Sequence, residues 1–285
     1  MRLPARQERQ AGRHALVDGI PFTLPVDSRH APALMAAFPI DADRAAALLP
    51  GNEVHPLRLP GGRGLLVITV IHYNSTDIGR YIEFSIAIAC THGARPAPPM
   101  LPAVLRRRFG TGQYVLDLPV STEISVKGGK GIWGMPKHRA YLEFDAGDRT
   151  ATSRYYLDGA LAVAIEVDRP RFSRLPLSGA AVNYCQFRGL LMKSTIYFRG
   201  RAGVRLPLTR SARLTIGDQQ RVAPLKSLAI AERPLFAAWL PDTDGVLDDH
   251  FEGWFLSYER LPEAAPEGLE SVVELGLGRD WPTAP

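Results

Sequence analysis

Glycine and proline set the first limit on this chain. Its 285 residues include 26 glycines and 24 prolines, scattered along the whole length. Proline fixes φ and removes a backbone donor, and glycine weakens a helix interior by about 1 kcal/mol relative to alanine. Long uninterrupted helices are disfavoured, and short elements joined by turns are expected. The intervals between these residues support strands. Gly64–His72, Tyr81–Thr91, Gln113–Val120 and Ile124–Lys127 are rich in β-branched and apolar residues and are bounded by turn formers. Arg139–Phe144, Arg154–Leu157 and Ala160–Val167 continue the series, with turns at Gly147-Asp148 and at the hairpin signal Asp158-Gly159. Lys193–Phe198 and Ala212–Ile216 read as later strands. Short helices are expected where Asp41 can cap a run ending at Pro50, near Pro99–Arg108 and near Leu247–Glu259.

A 46% hydrophobic chain with 22% charged residues can bury a core, so it is not a disordered protein. No internal repeat or linker divides it. Residues 1–18 read as a loose polar tail, and 19–285 as one β-rich α+β domain. The formal charge of +5 is small for this size. Arg2, Arg6, Arg9 and Arg13 hold part of it, and Arg106, Arg107 and Arg108 another. No aromatic residues interleave with these runs, so no nucleic-acid partner is expected. No apolar run approaches the ~20 residues of a membrane span and no secretory leader is visible, so a cytoplasmic protein off the membrane is expected. Two cysteines, Cys90 and Cys185, exclude a disulfide scaffold.

Several chemical motifs fail. Gly129-Lys130-Gly131-Ile132-Trp133-Gly134 fits G-x-G-x-x-G, but that fingerprint needs a helix opening on the glycines, and Met135-Pro136 follows instead. The seven histidines show no close ligand spacing, so no metal is expected. No Gly-x-Ser-x-Gly elbow occurs.

One segment remains: Trp133-Gly134-Met135-Pro136-Lys137-His138-Arg139-Ala140. A lysine directed into an apolar interior loses the water that favours its ammonium form. A neutral amine attacks a ketone to give a Schiff base, an electron sink for breaking an adjacent carbon–carbon bond without any added cofactor.

This segment resembles the acetoacetate decarboxylase family, whose signature is Pro-Lys-Lys. The first lysine of that pair, the Schiff-base residue, falls on Lys137. Activation of that lysine is a known property of the family and comes here with the resemblance. Gly112 to Arg139 aligns without a gap, including Tyr114, Glu123, Gly129 and Pro136. Upstream, His72-Tyr73-Asn74-Ser75, Gly79 and Tyr81-Ile82-Glu83 are similar to the family's His-Asp-Thr-Ser, Gly and Tyr-Thr-Glu, with one inserted residue. The family's active-site glutamate falls on Glu83. Ala212-Arg213-Leu214 and Ala223-Pro224-Leu225 extend the likeness, which spans roughly residues 20–262.

The resemblance implies a mainly antiparallel β-barrel or cone with a few packing helices, assembled as a homo-oligomer. It also implies a lyase that joins Lys137 to a β-keto acid or related small oxo acid, most simply for decarboxylation. Glu83 would shuttle a proton or position the substrate. Arg29, two residues out of register with a family arginine, would hold a carboxylate. His138 replaces the second lysine, and Val67 (or Ile68) a further glutamate. Trp133 and Met135 flank the nucleophile and would line the pocket, and bulk at Val67 and Trp133 would suit a larger apolar substrate. An aldolase–dehydratase or cyclase using the same lysine, and a non-catalytic binding protein of the same fold, are the alternatives.

Overall fold

The computed structural model describes residues 13–258, except 188, 207–209 and 249. The chain opens with β1 (Arg13–Val17), β2 (Ile20–Leu24), β3 (Val26–Arg29) and β4 (Ala33–Asp41), then α1 (Ala42–Ala46). Next come β5 (Val54–Pro56), β6 (Arg63–Tyr73), β7 (Ser75–Thr76), β8 (Tyr81–His92) and α2 (Leu101–Val104). β9 (Gly112–Val120), α3 (Glu123–Trp133) and β10 (Lys137–Arg139) follow, then β11 (Tyr141–Ala146), β12 (Thr150–Leu157) and β13 (Ala160–Asp168). The last part holds β14 (Leu175–Phe187), β15 (Leu190–Arg205), β16 (Ala212–Ile216), a 3-10 helix (Gln220–Leu228), β17 (Phe236–Leu247) and β18 (Glu252–Phe255).

Seven strands close a barrel in the order β4–β6–β8–β9–β14–β15–β17, with β17 pairing back onto β4. Every pair is antiparallel except β9–β14. Closure leaves these strands no free edges. A second, four-stranded antiparallel sheet, β11–β12–β13–β16, packs outside the barrel. The main core lies between them: Leu66, Ile68 and Val70 of β6 and Phe84, Ile86 and Ile88 of β8 meet Tyr155, Val163 and Ile165 of the small sheet. The opposite face of β6 carries Thr69, Ile71 and Tyr73 into the barrel. Both faces of these strands are covered, so they read in sequence as continuous apolar runs and not as alternating ones.

The expected hairpin is present: Asp158 and Gly159 both take positive φ (51° and 78°), as a type I′ turn requires. Asp41 caps α1, accepting from the backbone N–H groups of Asp43 and Arg44.

Four local expectations are corrected. Ile124–Lys127 is helical, as part of α3. Its inward residues Ser125, Gly128, Gly129 and Trp133 repeat at helical spacing, which outweighs the β-branched Ile124 and Val126. The helix expected over Pro99–Arg108 is confined to Leu101–Val104, entered through Met100 at φ 66°. In Leu247–Glu259, residues Glu252–Phe255 form a strand paired with β15, and Glu259 lies outside the described residues. Arg13–Val17, expected in a loose tail, pairs with β2 and buries Val17; residues 1–12 lie outside the described residues. No helix among the described residues is long and apolar enough to cross a membrane.

Candidate active site

The glycine-rich run is the C-terminal half of α3 and not the start of a helix, so no helix N-terminus faces those glycines. The helix ends at Gly134, whose φ of 67° is left-handed and whose N–H returns to Lys130 O. Pro136 forbids continuation, and the chain turns back along β9 as β10, placing Lys137 opposite Leu118. The glycines let α3 lie flat on its neighbours. A Cβ on Gly129 would collide with the Lys137 stem, one on Gly128 would sit 2.8 Å from Phe22, and one on Gly131 2.6 Å from Val17.

Lys137 is thereby sealed, with 4% of its surface exposed. Its Nζ lies 2.7 Å from Glu83 Oε2 and donates to Ser125 Oγ at 3.1 Å. It stands 5.5 Å from the centroid of the Tyr81 ring. Burying an unpaired ammonium costs several kcal/mol, so the lysine rests as an ion pair with the equally buried Glu83. The amine becomes a nucleophile only when that proton leaves, and Glu83 is placed to take it.

Tyr73 and Tyr81 complete the surroundings. Their rings stack with centroids 4.5 Å apart. Burial first, and the negative charge of Glu83 second, hold both phenols well above their ordinary range.

Glu83, Tyr73 and Met135 line a cavity of about 120 Å³ inside the barrel. Much of its wall is apolar, including Ile71, Val115, Leu118 and Phe198. Polar groups are set into it: Gln113 donates to Asn183 Oδ1 at 2.7 Å, and the buried Thr69 Oγ1 has no hydrogen-bond partner among the described residues. Lys137 itself is not part of this wall; it meets the wall through its contact with Glu83.

The structure therefore gathers Lys137, Glu83 and Met135. It separates the other sequence candidates. Arg29 is exposed and lies 3.8 Å from Asp27; its neighbour Ser28 faces the cavity, because adjacent strand residues point to opposite sides. His138 is turned outward for the same reason, with Nε2 2.9 Å from Asp117 Oδ1. Asp117 also receives Arg221 Nε at 2.7 Å and the Tyr155 hydroxyl at 3.1 Å. Trp133 is a core residue that packs near Cys185 and donates Nε1–H to Asp248 O at 3.0 Å. Val67 packs against the Leu57–Leu65 cluster, and Ile68 lies in the outer core, so neither enlarges the cavity wall. Tyr73, Tyr81, Ser125 and Thr69 were not anticipated as site residues. The two-residue period of β6 turns Thr69 and Tyr73 to the inner face with Ile71, but the continuous apolar run gives no sequence signal as to which face is inner.

A family profile described as acetoacetate decarboxylase matches residues 8–168. The chain belongs to this family. A search of curated proteins found no significant match. Among solved structures, an acetoacetate decarboxylase is 16% identical with a TM-score of 0.59, covering 81% of this chain and 90% of that one. The acetoacetate decarboxylase of Legionella pneumophila is 14% identical at TM-score 0.54, covering 79% and 85%. MppR, an enduracididine biosynthesis enzyme complexed with pyruvate, is 16% identical at TM-score 0.58, covering 81% and 91%. At these identities the likeness is one of fold, and it agrees with the barrel expected from the sequence.

Proposed function

We propose that this protein is a carbon–carbon lyase in which Lys137 forms a Schiff base with a small oxo acid, and that decarboxylation of a β-keto acid is its reaction. The observation that carries the reading is the buried Lys137–Glu83 pair, 2.7 Å apart, with Glu83 in the wall of the barrel cavity. Glu83 accepts the ammonium proton, the amine adds to the ketone, and loss of water leaves an iminium that Glu83 pairs as counter-ion. The iminium draws in the electrons of the breaking carbon–carboxylate bond. The carboxylate gives up its charge as it becomes carbon dioxide. An apolar wall such as Val115 and Leu118 favours that transition state over the charged ground state. A cavity of about 120 Å³ suits a substrate of acetoacetate's size. A homo-oligomer is proposed as its working form, to be tested by sedimentation.

A second reading keeps the lysine and changes the reaction to aldol condensation and dehydration. It is favoured by the similarity to MppR, a structure of which holds the condensation product of pyruvate and imidazole 4-carboxaldehyde. Borohydride reduction in the presence of acetoacetate or pyruvate, followed by peptide mass spectrometry, tests both. Reductive attachment at Lys137 is expected. A ligand that binds without ever becoming attached would make the protein a non-catalytic binder. Carbon dioxide from acetoacetate marks the first reaction; an enone from pyruvate and an aldehyde, without carbon dioxide from acetoacetate, marks the second.

A further inference from the structure

Among the described residues, the charged side chains in the cavity wall are Glu83 and Asp244, both acidic. Arg199 donates to Asp244 Oδ2 from Nε at 3.1 Å and from Nη2 at 3.0 Å, and Glu83 holds Lys137 Nζ at 2.7 Å. Both carboxylates are therefore already matched with a cation, and no lysine or arginine among the described residues is set into the wall itself. A carboxylate that stayed on a bound molecule would lose its water here and meet no cation of its own, which is costly.

The wall offers uncharged hydrogen bonding instead. Thr69 of β6 and Ser85 of β8 are cross-strand partners, and both face the cavity. Their rung is two residues along from the Ile71–Glu83 rung, a separation of about 7 Å. Thr69 Oγ1 is buried and has no hydrogen-bond partner among the described residues. A buried hydroxyl in that condition costs free energy, which a ligand atom placed against it recovers. The amides of Gln113 and Asn183 stand in the same wall, and the one bond between them does not exhaust two primary amides.

The next step rests on Lys137 forming the Schiff base, which fixes the ketone carbon on Nζ beside Glu83. Three bonds of an extended chain reach about 3.8 Å, and a hydrogen bond adds about 2.8 Å. A hydroxyl on the second carbon beyond the ketone therefore has the reach of the Thr69 rung. We propose that the substrate carries an uncharged hydrogen-bonding group at that position, a hydroxyl in its simplest form, and that Thr69 is the specificity-determining residue that receives it. The group lies on the arm of the ketone opposite the departing carboxylate. That carboxylate sheds its charge as carbon dioxide. A second one, retained through the reaction, would not, and the acidic wall discriminates against it.

The test offers the protein three ketones that differ in one group: 4-hydroxybutan-2-one, pentan-2-one and 4-oxopentanoate. They compete at equal concentration for borohydride trapping, and peptide mass spectrometry reads the ratio of reduced adducts at Lys137, corrected for the ratio that free lysine gives. The hydroxy ketone is expected to exceed each of the others by about 10–100-fold. In Thr69→Val, which removes the hydroxyl and keeps the branched shape, its lead over pentan-2-one should fall at least tenfold, and Thr69→Ser should retain it. The ratio is internal to each protein, so a loss of folded material does not alter it. A lead below about threefold in the unsubstituted protein, within the scatter of a single hydrogen bond, overturns the proposal while leaving the Schiff base intact. So does a lead that survives in Thr69→Val, or trapping of 4-oxopentanoate as efficient as that of the hydroxy ketone. No adduct at Lys137 from any of the three removes the Schiff-base reading itself, and this one with it.

Discussion

Lys137 and Glu83 are both buried and each offsets the charge of the other. Truncating one leaves the other as an uncompensated buried charge, at a cost of about 3–5 kcal/mol. Lys137→Met and Glu83→Gln, each alone, are expected to lower unfolding free energy by that order, and the double variant by much less than the sum, read from urea denaturation. Additive losses would show that the two groups do not depend on each other. Glu83→Gln should also reduce turnover of acetoacetate by about 10²–10⁴-fold, because no carboxylate is left to take the ammonium proton. These two residues were legible in the sequence because a local motif marks them. Tyr73, Tyr81 and Ser125 were not, because a hydroxyl gains a chemical role only from the neighbours the fold gives it. Arg29 and His138 stand off the cavity for one physical reason: each directly follows a residue directed toward it, Ser28 and Lys137, and adjacent strand residues point to opposite faces.

At the scale of elements, α3 shows how packing overrides composition. Its glycines look like turn formers, yet Gly128, Gly129 and Gly131 lie inside a helix because the Lys137 stem, Phe22 and Val17 occupy the space a side chain would need. Alanine at position 129 gains about 1 kcal/mol of helix propensity, and its methyl meets the flexible lysine stem and not backbone. Gly129→Ala is therefore expected to change the melting temperature by only a few degrees while cutting borohydride trapping at Lys137 at least tenfold. Trapping at the original rate would show that the lysine reaches the cavity by another path. β18 gives a second case. His92 at the end of β8 lies 4.5 Å from the Trp254 ring of β18, and burial, as the leading cause, lowers its pKa below 6.5. His72 is lowered in the same sense, by burial and then by Arg80. The unfolded chain takes up these protons first. Their contribution is complete above about pH 6.5 and is lost as pH falls through the ordinary histidine range toward the lower folded values. Thermal stability should decline over that interval, and His92→Gln should flatten the decline in part. An unchanged slope would mean that His92 is not the titrating group.

At the scale of the whole molecule, the barrel and the outer sheet share one core, since Leu66, Phe84 and Ile88 of the barrel pack with Tyr155, Val163 and Ile165 of the sheet. The sequence announced a β-rich chain and most of the strands. The barrel was expected only through the family resemblance, because the pairing of β17 with both β4 and β15 joins residues far apart in sequence and has no local signature. The two cysteines report on that closure independently. Cys90 of β8 packs with Tyr114 and Tyr184, and Cys185 of β14 with Trp133 and Leu118. Burial pushes the Cys185 thiol up to about 12 and the Cys90 thiol higher still, so neither is a nucleophile in the folded protein. Each becomes reactive only when its part of the wall opens. A ring of strands cannot release one wall without breaking pairs on both sides of it, so both thiols should open in one cooperative step. Iodoacetamide labelling across a urea series, resolved by mass spectrometry, should give the same midpoint for the two sites, coincident with loss of the β-sheet circular dichroism signal. Labelling of Cys185 well before Cys90 would show instead that the wall carrying α3 and Lys137 opens by itself, and that the candidate site sits on the least stable part of the barrel.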